Sequence, residues 1–408
     1  MNTSYNERLS RFIKSGIKDT TVTVRHDPFW QSLRATGTEL WLDTGDMIEA
    51  EANWCAEMTA LTTNNTLLNN EIQKGIYDDF IPSAVDLVKH LPVSEQIKEI
   101  AFILNARHGL RLAKKFGGMV SVELHTGTAH DIEGIVAYGL RFREISPDQF
   151  IVKVPYTPEG LIGARRLHEK GVRVNLTLGF SARQNVLVAM VARPDYLNVF
   201  LGRIGALIAD NKLGDGTGAG ENALLSSQTW TTRLSASHKW RTKQIAASLR
   251  NYTQLELLAG ADVYTIPPKV AAAGRKSLSG IFNSRLGTHY DVPLNETAKG
   301  LNIEKFWEVP HSVIDFGQAL DRYMPSTGEE LVIRAHEAGL GDMFPRMSSA
   351  DNERIAAESK IPVVSSWRER VVSGELALDT LLTLAGLASF TADQRQLDER
   401  IKGIIGKS

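Results

Sequence analysis

The sequence predicts an α/β chain built on a closed (β/α)8 barrel of the TIM type. Two observations carry that expectation. Eight short apolar strand candidates alternate with longer helical patterns between residues 39 and 280, the signature of parallel βα units. A doubly wound open sheet is the alternative, but no glycine-rich phosphate turn follows the first strand.

The strand candidates, in order, are ELWLDTG (39–45), MTALTTN (58–64), MVSVELH (119–125) and FIVKVPY (150–156), then VRVNLTLGF (172–180), YLNVFLGRI (196–204), TKQIAASLR (242–250) and ADVYTIPP (261–268). Each is an apolar run bounded by turn residues or by Pro. The helical pattern EGLIGARRLHEKG shows the alternation: Leu161, Ala164 and Leu167 share one face and Gly171 ends it. Residues 65–118 are too many for one βα connection and carry three helix-like segments, near 67–75, 82–92 and 96–114. Residues 209–240 are rich in Gly and polar residues and read as a loop over or beside a barrel mouth. Beyond about 300 the chain turns helical. SVIDFGQALDRYM, GEELVIRAHEAG and LALDTLLTLAGLA are three helices, and FTADQRQLDERIKGII a final capped one. The expected organisation is an N-terminal helical segment (1–38), a catalytic barrel (39–300) and a helical C-terminal extension (301–408) packed on the barrel.

Composition narrows the function classes. Lys plus Arg total 46 against 47 Asp plus Glu, so charge offers no case for nucleic acid or an anionic membrane surface. A single cysteine, Cys55, excludes an intramolecular disulfide and a cysteine cluster for zinc. The polar start MNTSYNERLSRFIKSGIKDT lacks the apolar region of a signal peptide, and no apolar run reaches the roughly 20 residues of a membrane helix. A cytoplasmic protein, monomer or homodimer, is expected.

Polar residues recur near the C-terminal ends of these strands, where barrels of this kind carry their chemistry. Asp43 is in phase with Trp41, Asn64 closes the second strand, and Glu123 is in phase with Ser121 and His125. Lys153 interrupts an apolar run, in phase with Ile151. Asn175 and Thr177 share one face of the fifth strand, Arg203 ends the sixth, and Ser248 and Arg250 end the seventh. Each has a bland alternative. DTGD opens toward a helix that Asp43 could cap; the asparagines could bond loop backbone; the arginines could form surface ion pairs; Lys153 could snorkel to its strand's rim. Their coincidence argues otherwise. A buried lysine is favoured in its neutral form, and a neutral amine is a nucleophile toward carbonyls. An amine, two carboxylates, a hydroxyl, two amides and two guanidinium groups at one end of a barrel suit carbonyl chemistry on a phosphorylated, polyhydroxylated substrate.

Seven segments carry a resemblance: LDTGD (42–46), LTTNN (61–65), VSVE (120–123), IVKVP (151–155), VNLTLGFS (174–181), FLGRI (200–204) and ASLRN (247–251). In this order the chain resembles the transaldolases, Schiff-base-forming (β/α)8 enzymes of sugar phosphate metabolism. The resemblance implies Lys153 as the Schiff-base lysine and Asp43 as the acid/base for carbon–carbon cleavage. It implies that Glu123 and Thr177 handle an active-site water and that Asn64 and Asn175 hold hydroxyls of the three-carbon unit. Arg203, Arg250 and Ser248 would bind phosphate. The implied reaction transfers a dihydroxyacetone unit from a ketose phosphate (sedoheptulose 7-phosphate or fructose 6-phosphate type) to an aldose phosphate (glyceraldehyde 3-phosphate or erythrose 4-phosphate type). It needs no metal or organic cofactor.

The chain also departs from the family pattern. The usual TTNPS is TTNNT, with Thr66 for serine; Asn198-Val199-Phe200 replaces Ser-Pro-Phe; and LHTGTAHD lacks the acidic residue expected two positions after Glu123. These changes and the C-terminal extension imply a divergent branch. Two other readings stand beside transfer: an aldolase or transferase acting on a different sugar phosphate, and a catalytically silent barrel used for binding.

Overall fold

The computed structural model describes residues 3–237 and 240–406; residues 238 and 239 of the predicted loop, and the extreme ends of both outer segments, lie outside them. All eight predicted strands form one closed parallel barrel, β1 (Glu39–Asp43), β2 (Met58–Thr62), β3 (Met119–Glu123), β4 (Phe150–Pro155), β5 (Val174–Thr177), β6 (Tyr196–Phe200), β7 (Lys243–Ala247) and β8 (Val263–Ile266), in sequence order with β8 pairing β1. Each strand is shorter than its apolar window, because the last predicted residues already turn out of the sheet at the barrel mouth. All six residues of β4 are buried, as a strand covered on one side by helices and filling the barrel on the other requires.

The long connection after β2 holds the three expected helices, Asn65–Gln73, Ile81–Val88 and Val93–Phe116. The helix after β4 runs Pro158–Glu169. Thr157 caps it by accepting from the Gly160 N–H, Pro158 pre-sets its first turn, and Leu161, Ala164 and Leu167 are buried as their spacing predicts. Among the described residues no helix is long and apolar enough to cross a membrane.

Three expectations are corrected. Arg203 does not end the sixth strand: β6 stops at Phe200, and the helix Leu201–Asp210 starts without a loop, placing Arg203 in its first turn. Residues 209–240 are mostly not a loop. Glycines crowd only the stretch 214–220, and a 19-residue helix, Ala219–Ser237, follows with Ala223, Leu224 and Leu225 buried. The last two predicted helices are one, Leu378–Ile405, because Ala388-Ser389-Phe390 contains neither Gly nor Pro to break it.

That 28-residue C-terminal helix lies over the barrel mouth rather than on its outer wall. Asp379 is bound by Ser181 and Arg183 from the loop and helix after β5, at 2.6 and 2.8 Å. Thr383 donates to the Leu178 carbonyl at 2.9 Å. Asp393 accepts from Thr66 and Gln396 from Asn69, both on the segment after β2, while Asp398 faces His125 after β3 at 3.2 Å. One helix thereby ties together the exits of three strands.

Candidate active site

A cavity of about 160 Å³ opens at the C-terminal ends of the strands, beneath the C-terminal helix. Of the nine residues singled out in the sequence, six line it: Asp43, Asn64, Lys153, Asn175, Arg203 and Ser248. Glu123 and Thr177 are buried but are not on this wall, and Arg250 is exposed and does not line it.

Lys153 is 4 % exposed and donates to the Thr63 carbonyl at 3.0 Å. Register sets its neighbours: Glu123 on β3 and Asn175 on β5 pair with it, so carboxylate, amine and amide form one row across three strands. No salt bridge joins Glu123 to Lys153; the Glu123 carboxylate instead accepts from the Asn65 N–H at 2.9 Å. Burial raises the Glu123 carboxyl above its ordinary range, opposed by the charge of Lys153 and the Asn65 bond.

Asp43 is free of the capping duty its surroundings offered. Asp46 caps the helix Met47–Asn53, accepting from Ile48 and Glu49. Asp43 therefore keeps its carboxylate for the cavity, where Thr62 Oγ1 donates to Oδ1 at 2.7 Å and itself pairs with Thr265. Burial raises this carboxyl too, with the Thr62 bond and the Lys153 charge pulling it back. Asn64 caps as well as lines: its Oδ1 accepts from Leu67 N at 2.8 Å, leaving the amide nitrogen as donor. Asn175 is oriented from both sides, accepting from Asn198 Nδ2 and donating to Ser121 Oγ, each at 3.1 Å. Thr177 Oγ1 is buried and has no partner among the described residues.

Arg203 reaches the cavity because side chains of a helix's first turn lean back toward its N-terminus. Gly202 lets that turn pack on the exit of β7: a Cβ there would lie 2.1 Å from the Ser248 carbonyl oxygen and 2.8 Å from Arg250 Cγ. The guanidinium lies between two rings, 5.2 Å from Phe200 and 5.7 Å from Phe390 of the C-terminal helix. Gly386 admits that helix, since a Cβ would stand 3.2 Å from Arg203 Nη1. Nη1 is buried without a partner. Burial, and then the neighbouring Arg250, pull Arg203 down to about 10, against the opposing charges of Glu123 and Asp393.

Sequence reasoning missed several lining residues. Thr62, Thr265 and Phe200 look like ordinary strand residues. Asn198 stands out only as a departure from the family pattern, although a lone amide in the apolar run YLNVF is the same signal that marks Lys153. Lys360 and Phe390 come from the C-terminal extension and no local pattern marks them.

The structure is thus a closed (β/α)8 barrel with a buried lysine, a carboxylate and an unpaired guanidinium in one mouth cavity. The transaldolase/fructose-6-phosphate aldolase family profile matches residues 40–306, and the chain belongs to that family. A probable transaldolase of Thermus thermophilus is 36% identical over 238 residues, which cover 57% of this chain and 88% of that protein. The transaldolase of Cricetulus griseus is 31% identical over 218 residues (51% of this chain, 64% of that one), and that of Kluyveromyces lactis 30% over 249 (59% and 73%).

Proposed function

We propose that the protein is a transaldolase in the strict sense, moving a dihydroxyacetone unit between phosphorylated sugars through a Schiff base on Lys153. The observation that carries this reading is the buried Lys153 amine sharing one cavity with the Asp43 carboxylate. Lys153 Nζ adds to the ketone carbon of a ketose phosphate, and loss of water leaves an iminium that draws electrons from the adjacent carbon. Asp43 takes the proton of the C4 hydroxyl as the C3–C4 bond breaks. An aldose phosphate departs and the three-carbon unit remains as an enamine. The enamine then adds to an acceptor aldose phosphate, and the new iminium takes up water to release the product ketose phosphate and free Lys153. Shielding the enamine from protonation before the acceptor arrives favours transfer over simple cleavage.

Support for the other roles comes from chemistry and position. Glu123, held beside Lys153 with its carboxyl raised by burial, can carry protons during addition and loss of water. The unpartnered Thr177 hydroxyl can hold that water. Asn64 and the doubly oriented Asn175 suit hydroxyls of the three-carbon unit. Arg203, with Ser248 on the wall and Arg250 beside it, suits phosphate. A second reading, transfer with a different phosphorylated sugar, is favoured by Asn198, Lys360 and Phe390 on the cavity wall.

Borohydride reduction with fructose 6-phosphate, followed by intact mass, tests the reading. An adduct on the wild type that is absent from Lys153→Ala is expected. No adduct on either protein, or equal adducts on both, refutes the Schiff base. Product analysis with and without glyceraldehyde 3-phosphate then separates transfer from simple aldol cleavage.

A further inference from the structure

Among the groups without an assigned role, one shares the cavity with Arg203. Lys360 lies in the turn after the helix Ser349–Glu358 and lines the same wall. No hydrogen bond or ion pair among the described residues engages its ammonium.

The turn that presents it is held on both sides. Ser359, just before it, sits at φ 68° and ψ −152°, a conformation that glycine alone adopts without strain. Glu358 Oε2 fixes the following residues, accepting from Val363 N at 3.0 Å and from the indole N–H of the buried Trp367 at 2.8 Å. Asn211, directly after the helix Leu201–Asp210, accepts from Val364 N at 2.8 Å and donates to the Pro362 carbonyl at 3.0 Å. The segment carrying Lys360 is therefore fastened to the helix carrying Arg203.

Electrostatics say what belongs between them. The cavity wall carries Lys153, Arg203 and Lys360 against a single carboxylate, Asp43. Glu123 and Asp393 act on Arg203 through charge alone, and among the described residues neither it nor Lys360 makes a salt bridge, so two unpaired cations facing one space favour an anion in that space. Arg250, although near Arg203, does not line the cavity, and Lys360 is the cation that shares this wall with it.

We propose that Lys360 is a specificity-determining residue, whose ammonium grips the substrate phosphate together with the Arg203 guanidinium. The C-terminal extension thereby selects phosphorylated substrates. This rests on the reading of the site as one for sugar phosphates. Arg203 supplies a planar fork and Lys360 a mobile point charge at the rim.

Calorimetric titration with inorganic phosphate at low ionic strength tests it. Lys360→Ala should weaken phosphate binding about five- to tenfold, Lys360→Glu should weaken it further, and Lys360→Arg should stay within about twofold of wild type. With fructose 6-phosphate as donor, KM should rise in the same order while kcat holds, and KM for unphosphorylated fructose should not move. The side chain is exposed, so the variants should fold normally. Equal phosphate affinity in wild type and Lys360→Ala overturns the proposal, as does a wild type that binds no phosphate. The titration involves no chemistry at Lys153, so a missing borohydride adduct would sink the Schiff-base reading and leave this result standing.

Discussion

Two arginines are buried at the mouth of the same barrel, each in the first turn of a helix: Arg183 after β5 and Arg203 after β6. They are 2 % and 6 % exposed, yet their surroundings are opposite. Arg183 donates twice to Asp379 and once to Asp342, at 2.8 to 2.9 Å, and Lys305 shares Asp342. Burial lowers it, but the two carboxylates overcome that and hold it above the ordinary guanidinium range. Among the described residues Arg203 makes no ion pair: two aromatic faces flank it, Nη1 is unpartnered, and burial together with Arg250 outweighs the more distant charges of Glu123 and Asp393 and pulls it down to about 10. A guanidinium whose counter-charge is supplied by the protein holds the structure together; here Arg183 fastens the C-terminal helix to the barrel. One left without a counter-charge is costly until an anion arrives. Equal burial thus serves architecture in one case and binding in the other.

Substituting each arginine by methionine puts this contrast under strain. Arg183→Met leaves Asp379 and Asp342 buried with too little positive charge and should cost about 3–5 kcal/mol of stability, read by urea unfolding. Arg203→Met removes an uncompensated charge and keeps the packing between Phe200 and Phe390. Its stability should hold or rise, while KM for the sugar phosphate climbs about 10–100-fold at similar kcat. If both variants lost the same stability, or if Arg183→Met raised KM without destabilising the chain, the contrast would be broken.

The same distinction governs what could be read from the sequence. The barrel was legible because strands and helices repeat over short spans, and Lys153 because one charge interrupts a local apolar run. Arg183 was illegible because its counter-charges lie on Asp342 and Asp379, far along the chain. Thr66 and His125 looked like losses from the family pattern, yet Thr66 bonds Asp393 and His125 faces Asp398 on the C-terminal helix. Two of the departures are therefore docking points for the extension. The helix 219–237 was hidden for a different reason: its glycine-rich approach shares a composition with true loops, and its larger apolar residues begin only at Leu224.

A smaller effect separates the two regions by pH. Burial raises the Asp43 carboxyl in the folded chain. Between its unfolded value, about 3.9, and its higher folded value, the native state binds more protons than the unfolded one. Asp43 therefore subtracts stability as pH climbs through that window, whereas Asp379, held below the ordinary carboxylate range against its own burial by Arg183, loses its contribution as pH falls. Asp43→Asn preserves an acceptor for Thr62 Oγ1 but carries no titrating proton. At neutral pH it should be more stable than wild type by about 0.5–2 kcal/mol, the usual scale when a strained functional group is removed, while losing activity. The gain should shrink toward zero as pH is lowered below the unfolded carboxylate value. Thermal unfolding of both proteins from pH 3 to 8 decides the matter: a difference that stays flat would mean that the Asp43 carboxyl is not raised, and a variant less stable at neutral pH whose deficit fades on acidification would mean that Asp43 is paired as firmly as Asp379 and is not the uncompensated base of the reaction.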